Sequence, residues 1–282
     1  MRFAKILRHP VLQGLLFLLL FGTYVFSVRL VERQPRVEPN EEMRVALPVA
    51  VQLLMSGGDR YFAGNMAMLR VLVTPARVTS AESFAVQARV QQDVSWFNPA
   101  NEDNYYVAAA MLPWYGQSSI TQTILKRAAN ARPNDPNPAF FYAFNALYFD
   151  KNPVLASEWL RRAAQSTFDF EERVGLENMA ARWIEKSSDV DLAIAVVKSM
   201  ATEARQPDFR NYLLKRVARL ENLKQLREAT NVFVEKFGKP PTRLDDLVSA
   251  ELIGSIPADP FGFGYGLNRN GLPVLYNSEQ KK

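Results

Sequence analysis

A short motif that occurs twice constrains the fold of this chain more than any other feature of its sequence. The motif reads leucine, a basic residue, arginine and two alanines. It stands at Leu125–Ala129 and again at Leu160–Ala164, 35 residues further on. Self-similarity at a period of about 20–50 residues is typical of repeat architectures, in which each copy stacks on its neighbours. Such arrays build extended surfaces for binding. The sequence therefore predicts stacked repeats that bind a partner.

Helical patterns with start and stop signals fill the chain from about residue 48 to residue 237. Asn152 followed by Pro153 indicates a helix start, because proline suits the first helical position. Stop signals stand at Asn98-Pro99, at residues 133–136 and at Gln206-Pro207. Helices of about 12 to 16 residues joined by short turns are typical of an array of α-hairpins.

Further start signals predict the caps of individual helices. Asp59, which follows two glycines, predicts a turn and a cap for the helix near residues 60–72. Three pairs have the spacing of a residue that caps a helix and an acidic residue that closes the cap: Thr79 with Glu82, Ser188 with Asp191, and Thr242 with Asp245. In the last pair we expect Asp245 and Asp246 to favour the helix start rather than to form a catalytic pair.

The stretch from about Asn98 to Gln165 carries a pattern of small and bulky residues in two units. Pro99 and Pro133, which stand at equivalent places in it, are 34 residues apart. The positions are Tyr105, Ala108, Ala109, Gly116, Leu125 and Ala128 in the first unit, and Tyr142, Ala143, Ala146, Leu155, Trp159 or Leu160, and Ala163 in the second. This stretch resembles tetratricopeptide repeats, in which small residues let paired helices approach closely. The alternative is an ordinary helical bundle in which the motif recurs by chance.

Residues 11–28 contain no charged side chain and few polar ones, which predicts an uncleaved transmembrane helix. A cleaved signal peptide is the alternative, but no pair of small residues marks a cleavage site after the run. Basic residues flank both ends, so their count does not fix the orientation. A short tail before the helix and a long domain after it favour a cytoplasmic N-terminus. We expect a single-pass protein of a bacterial inner membrane with its body in the periplasm.

The composition excludes several kinds of active site. The chain has no cysteine, and its one histidine is His9, in the N-terminal tail. A disulfide, a thiolate metal site, a Ser-His-Asp triad and a histidine-ligated metal in the body are therefore excluded. The net charge of +5 is too mild and too dispersed to predict nucleic-acid binding. Glu171-Glu172 and the pair Asp189 and Asp191 lie at helix starts, where negative charge is favourable anyway. We therefore predict no enzyme and no cofactor.

The chain changes character after Phe237, where glycine, proline and aromatic residues become frequent. The turn Asn270-Gly271 lies between two apolar runs and predicts a β-hairpin. The segment resembles the C-terminal region of major pseudopilins of type II secretion systems. The residues that carry this resemblance are Gly238, Pro241, Leu244, Leu247, Asp259, Pro260, Gly262 and Tyr265. The resemblance implies a small α+β module, whereas the leader and the acidic calcium loop of that family are absent from this sequence.

Aromatic residues crowd residues 96–149, where twelve rings exceed what two thin hairpins bury. Tyrosine and tryptophan are favoured anchors at protein interfaces. Arg216, Arg219, Lys224 and Arg227 form a basic strip, either a solvated face or a contact for an acidic partner or lipid headgroups. The candidate partner-binding residues are Tyr105, Tyr106, Trp114, Tyr115, Tyr142, Tyr148, Arg216 and Arg219.

These observations predict a mainly α protein with four parts. They are a tail and transmembrane anchor (1–31), a linker (32–47), a tetratricopeptide-like helical repeat domain (48–220) and a pseudopilin-like α+β module with a β-hairpin (221–282). The predicted function is a membrane-anchored scaffold that binds proteins of an envelope or secretion-type complex. The alternative is a structural subunit of a secretion or pilus machine, and an enzyme is the less favoured reading.

Overall fold

The computed structural model of the chain describes residues 10–33, 43, 45–74 and 80–276. The predicted tail, most of the predicted linker and Thr79 lie outside these residues. The described part is mainly α-helical, as predicted, with two short strands near its C-terminal end. The chain divides into two compact units, residues 1–42 and residues 43–282.

The first unit contains one described helix, α1 (Pro10–Arg33), which includes the predicted transmembrane segment. Apolar side chains from Leu16 to Leu30 are exposed along it, among them Phe17, Leu20 and Phe26. No helix in the described part of the chain combines the length and apolar character needed to cross a membrane.

The second unit is built from consecutive helices that pack in pairs, which we call hairpins. In chain order they are α2 (Val49–Met55), α3 (Arg60–Val73), α4 (Ala81–Phe97), α5 (Glu102–Met111), α6 (Ser118–Ala131), α7 (Asn137–Tyr148), α8 (Pro153–Ser166), α9 (Phe170–Ile184), α10 (Val190–Glu203), α11 (Pro207–Phe237) and α12 (Asp245–Ser249). A 3₁₀-helix (Leu112–Tyr115) follows α5. The pairs α3/α4, α5/α6, α7/α8 and α9/α10 are hairpins, and each packs against the next.

The two copies of the sequence motif occupy equivalent places in consecutive hairpins. Helices α6 and α8 are the second helices of their hairpins, and each carries one copy. Both copies bury the leucine and the two alanines: Leu125, Ala128 and Ala129 in α6, and Leu160, Ala163 and Ala164 in α8. Alanine has little volume beyond the backbone, so these positions let neighbouring helices approach closely. The spacing of the motif therefore equals the length of one hairpin.

Two predicted caps are present and one is shifted by a residue. The carboxylate of Asp59 accepts hydrogen bonds from the first amides of α3, at 2.8 Å from Tyr61 N and 3.1 Å from Phe62 N. Asn152 caps α8 by accepting from Leu155 N at 3.0 Å. Helix α10 is capped by Asp189, which accepts from Leu192 N at 2.9 Å. The prediction of Ser188 as the cap is wrong, because the longer-reaching carboxylate one residue on takes the amide.

The other two predicted caps also differ in detail. Helix α4 is capped by Ser80, whose hydroxyl accepts from Ser83 N at 3.2 Å. Before α12, Asp246 rather than Asp245 reaches back to Thr242 and accepts from its amide at 2.8 Å and from its hydroxyl at 2.9 Å. Asp245 instead pairs with the guanidinium of Arg243 at 2.8 Å. Both aspartates thus make their contacts at the entry to the short helix.

The C-terminal segment folds back on helix α11 as a small α+β module. Strands β1 (Tyr265–Leu267) and β2 (Pro273–Leu275) pair antiparallel, with Tyr265 opposite Leu275, as the turn signal predicts. Gly271 in that turn is left-handed with φ of 73°, and a Cβ there would lie 2.5 Å from Pro240 Cβ. The predicted domain boundary at 220/221 falls inside α11, which runs unbroken from Pro207 to Phe237.

Candidate partner-binding groove

An apolar groove lies between α7 and the segment made of α5 and the 3₁₀-helix. Its volume is about 360 Å³. The residues that line it come from the first helices of two consecutive hairpins and from the 3₁₀-helix. They are Tyr106, Ala109, Ala110, Trp114, Phe140, Phe141, Phe144 and Asn145. We call this surface the aromatic groove.

Helical geometry explains why these residues face the groove. In α5, Tyr105 and Ala108 are buried against the repeat core, which turns the neighbouring Tyr106 outward. In α7, Ala143 and Ala146 are fully buried in the same way, which leaves Phe144 exposed. The rings of Tyr106 and Phe144 thus lie on the outer faces of their helices, whereas Ala108, Ala143 and Ala146 face the core.

The 3₁₀-helix places Trp114 at the end of the groove. Pro113 favours the start of this short helix, and Gly116, left-handed with φ of 77°, ends it. Trp114 is 57% exposed although tryptophan is one of the largest apolar side chains. Because φ is positive there, any residue with a side chain at position 116 would strain this turn.

The aromatic rings of the groove hold one another in place. Tyr106 and Phe141 meet edge to face, with ring centroids 5.3 Å apart. Phe144 and Tyr148 stack with centroids 5.5 Å apart, and Trp114 lies 5.4 Å from the Tyr148 ring. Ring pairs at these distances are attractive. The groove is therefore preorganised by contacts between α5, the 3₁₀-helix and α7.

Asn145 is the buried polar residue of the groove lining, at 2% exposure. Its Nδ2 donates to the backbone oxygen and to Oγ of Ser118, at 3.3 and 3.1 Å. Ser118 Oγ in turn donates to Asp150 at 2.6 Å. This chain of bonds ties α7 to the start of α6. None of the residues that line the groove is charged.

The structure brings part of the predicted site to this surface. Tyr106 and Trp114 line the groove, and Tyr148 packs on its rings while remaining exposed. Tyr115 is exposed on the other side of the 3₁₀-helix, where its ring stacks on Phe84 with centroids 3.4 Å apart. It is not among the residues that line the groove.

Two predicted tyrosines have structural contacts instead. Tyr105 is fully buried, and its hydroxyl donates to Asp135 at 2.8 Å. Burial, together with this carboxylate, raises the pKa of Tyr105 far above its usual value. Tyr142 is half-buried and stacks on Trp159 with centroids 3.7 Å apart. The prediction of Tyr105 as an exposed anchor is therefore corrected, because its ring fills the space between consecutive hairpins.

The interpretation of Arg216 and Arg219 as an exposed strip is also corrected. Both side chains are buried and paired within the protein, Arg216 with Glu185 and Arg219 with Asp259, the latter at 3.0 Å. Arg219 also donates to the backbone oxygen of Tyr276 at 2.6 Å. These arginines join α11 to α9 and to the C-terminal module, so they are not available to a partner.

The acidic pairs considered for catalysis lie at helix starts, where three of the four residues have structural partners. Glu172 lies in the first turn of α9, and its carboxylate accepts from the Thr167 hydroxyl. Asp189 caps α10, and Asp191 pairs with Lys224 at 2.6 Å.

Two of the eight residues that line the groove, Tyr106 and Trp114, were predicted from the sequence as site residues. Phe140, Phe141 and Phe144 are in the aromatic cluster that the sequence analysis described, but they were not named as site residues. A signal for them was present, since Ala143 and Ala146 mark the inner face of α7 and the rings fall on other faces. Asn145 carries no such signal, because an asparagine inside a helix is ordinarily exposed.

Comparisons of the chain with protein-family models, with curated proteins and with solved structures found no match.

Proposed function

We propose that this chain is a scaffold that binds a partner protein, and that the aromatic groove receives apolar side chains of an exposed segment of that partner. The observation that carries the proposal is the exposure of Trp114, Tyr106 and Phe144 around one preformed apolar groove. Contiguous exposed apolar surface of this kind marks interaction sites in proteins. Tyrosine and tryptophan are also the residues that most often dominate binding energy at interfaces.

The volume of the groove and the absence of charge in its lining indicate which side chains of a partner it can bind. Its volume of about 360 Å³ is at the lower end of the roughly 300–1000 Å³ of ligand pockets, so it suits a few side chains rather than a whole domain. A charged group placed there would lose its hydration and find no opposite charge, because no lining residue is charged. Leucine, phenylalanine or tryptophan side chains of a peptide segment fit both conditions.

A tetratricopeptide-like array is part of this proposal. It is supported by the equivalent places that the two motif copies occupy in α6 and α8, and by the position of the groove between first helices of consecutive hairpins. Repeat arrays of this kind bind along surfaces to which several repeats contribute. The expected setting is an envelope or secretion-type complex, in which the scaffold holds its partner near the membrane.

The proposal also includes attachment to a bacterial inner membrane through residues 11–28, with the body in the periplasm. It is supported by the uncharged sequence of this run and by the exposed apolar side chains of α1. The test is alkaline carbonate extraction of membranes from cells that make the full chain. We expect the protein in the membrane pellet, and release on Leu18→Lys with Leu20→Lys. Recovery of the unchanged chain in the supernatant would contradict membrane attachment.

A structural subunit of a secretion or pilus-like machine is the second candidate, and the C-terminal module is the observation that favours it. The carboxylate of Asp259 accepts hydrogen bonds from the amides of Phe261, Phe263 and Gly264. These bonds fix the turn that precedes the β-hairpin. A structural subunit polymerises into a fibre, whereas a scaffold does not. Electron microscopy of the purified chain separates the two candidates.

The scaffold proposal is tested with a phage-displayed library of random peptides selected on the purified protein. We expect the selected peptides to share leucine, phenylalanine or tryptophan and to lack a common charge. Trp114→Ala should weaken a selected peptide by at least about 2 kcal/mol, or about thirtyfold in Kd. Tyr106→Ala should act in the same direction.

Trp96→Ala is the matched control, because Trp96 is also exposed but lies on α4, outside the groove. It should leave the Kd unchanged, as should Glu171→Gln and Asp191→Asn. Equal binding to the Trp114→Ala variant, with its fold intact by circular dichroism, would rule out the groove as the binding site.

A further inference from the structure

A second cavity lies between α9, α11 and strand β2, away from the aromatic groove. Its volume is about 680 Å³, within the range of ligand pockets. The residues that line it are Gly175, Asn178, Met179, Arg182, Trp183, Glu185, Lys186, Ser187, Leu223, Arg227, Val274 and Leu275. One turn of helix separates Asn178 from Arg182, so α9 presents both to the cavity, and Lys186 lies in the turn that follows the helix.

The cavity carries an excess of positive charge. Glu185, the carboxylate of the lining, is paired with Arg216 from α11. Arg182 and Lys186 have no ion-pair partner among the residues that the structure describes. Arg227 is half-buried and donates to two backbone oxygens: Nε to that of Pro273 at 3.2 Å and Nη1 to that of Ser188 at 3.0 Å. Burial lowers the pKa of Arg227, since no described carboxylate compensates for it.

Two further polar side chains of the lining can donate hydrogen bonds into the cavity. Asn178 Oδ1 accepts from the hydroxyl of Tyr212 at 2.9 Å, which leaves Nδ2 to donate. Ser187 Oγ accepts from Asp189 N at 3.1 Å, which leaves its hydroxyl hydrogen to donate. Together with the cations, these groups are complementary to a ligand that carries negative charge and accepts several hydrogen bonds.

The other half of the lining is apolar and lies beside the cations. It consists of Met179, Trp183, Leu223, Val274 and Leu275. A bare inorganic anion would leave this wall without a contact. A ligand that carries an anionic group and an apolar group can pair with the cations and pack against the apolar wall at the same time. The C-terminal residue of a peptide has this construction when its side chain is leucine, phenylalanine or a similar group.

We infer that the cavity between α9, α11 and β2 binds the C-terminal carboxylate of a peptide whose last residue is apolar. The carboxylate lies among Arg182, Lys186 and Arg227, and the side chain lies on Trp183 and Leu223. Arginine forms two parallel hydrogen bonds to a carboxylate, which gives direction as well as charge. The site does not depend on the aromatic groove, which selects uncharged side chains and is lined by other helices.

The test is isothermal titration of the full protein with N-acetyl-leucyl-phenylalanine as the free acid and as the C-terminal amide. The free acid is expected to bind, and the amide to bind at least about tenfold more weakly. The affinity of the acid should fall as salt is raised, because the charges are partly exposed. Equal binding of acid and amide, or no binding of the acid at millimolar concentration, would overturn the assignment.

Paired variants separate this site from a general effect of charge. Arg182→Gln with Lys186→Gln should weaken the acid at least about tenfold. Lys198→Gln with Lys215→Gln removes the same net charge from exposed positions outside the cavity and should have no effect. If both double variants bind like the unchanged protein, the cations do not hold the ligand. A last comparison uses inorganic phosphate, which carries negative charge but no apolar group. If phosphate displaces the peptide acid and its Kd is as low as that of the acid, the apolar wall plays no part and the peptide assignment fails.

Discussion

Asp135 shows how one half-buried carboxylate joins neighbouring hairpins. It lies in the turn before α7 and accepts hydrogen bonds from the Tyr105 hydroxyl, from Arg132 Nε at 2.7 Å and from the amide of Asn137 at 3.0 Å. Tyr105 belongs to α5, so the carboxylate connects the first helices of two hairpins through one turn. Burial acts to raise the pKa of Asp135, but the bonds from Arg132, Asn137 and Tyr105 together hold it below its usual value.

Replacement of Asp135 by asparagine should therefore destabilise the repeat and change its response to acid. We expect a loss of about 1–3 kcal/mol at pH 7, the cost of removing the charged acceptor of a part-buried hydrogen-bond network. The folded pKa lies below the unfolded value of about 3.9, so the contribution is present above that value and is lost as the pH falls through the folded pKa. The difference between the two proteins in urea unfolding should shrink between about pH 5 and pH 3.

The control for this experiment is Asp103→Asn, since Asp103 is an exposed aspartate of α5 in the first helical turn. It should change the free energy of unfolding by no more than about 1 kcal/mol, the size of an exposed charge effect at a helix start. A constant difference between Asp135→Asn and the unchanged protein from pH 7 to pH 3 would show that the carboxylate is not held ionised by its partners.

The burial of two arginines of α11 could not be predicted from the sequence. Arg216 and Arg219 have the helical spacing of a solvent-exposed strip, yet both are buried. Their partners lie far along the chain, 31 residues away for Glu185 and 40 residues away for Asp259. No local pattern distinguishes an arginine that meets such a partner from one that faces water. Exposure of charged residues is the default, and tertiary contacts override it.

At the scale of elements, the local signals were sufficient to predict the hairpins but not the exact caps. Prolines, turn residues and the repeated motif each act over a few residues, and they predicted the stops near Asn98 and Gln206 and the C-terminal β-hairpin. The caps at Asp189 and Asp246 were missed by one residue, because two adjacent polar side chains compete for the same amides. To predict the aromatic groove, one must know which helices pack against each other. The repeated motif is the one feature of the sequence that indicates this.

The small residues of the motif give a prediction for the helix packing. Ala128 and Ala163 are buried in α6 and α8, where neighbouring helices approach them. Ala128→Leu or Ala163→Leu should lower the free energy of unfolding by about 1–3 kcal/mol, the usual cost of overpacking a well-packed core. Ala195→Leu in α10 is the control, because Ala195 is exposed and the added side chain finds space in solvent. Equal midpoints of denaturation for all three variants would show that the motif alanines do not set the helix spacing.

At the scale of the whole molecule, the core of residues 43–282 is divided along the chain. One cluster of buried side chains contains Met43 and residues up to Val94, a second extends from Ala88 to Ala128, and a third from Ala129 to Tyr265. Arrays in which each repeat contacts only its neighbours have a stability that is approximately a sum over repeats and interfaces. Local opening at one end is therefore possible without unfolding of the other end.

The ion pair of Arg219 and Asp259 joins helix α11 to the C-terminal module. Their side chains are 5% and 1% exposed, and the same carboxylate accepts from three amides of the turn before β1. Asp259→Asn leaves the guanidinium of Arg219 buried without its counter-charge. Removing one partner of a buried ion pair typically costs about 3–5 kcal/mol. Most of this cost should fall on the C-terminal module and on α11, to which the arginine belongs.

Native-state hydrogen exchange measured by mass spectrometry tests whether the effect stays at that end. In Asp259→Asn, the amides of α11 and of the hairpin should exchange faster, whereas those of α3 and α4 should keep the rates of the unchanged protein. The reason is that α3 and α4 contribute to a core cluster separate from the one that contains Leu220 and Tyr265. Glu235→Gln, at an exposed position of α11, should leave both regions unchanged. Faster exchange throughout residues 80–276 in Asp259→Asn would mean that the body opens as one cooperative block, and the division of its core into separately stable segments would be wrong.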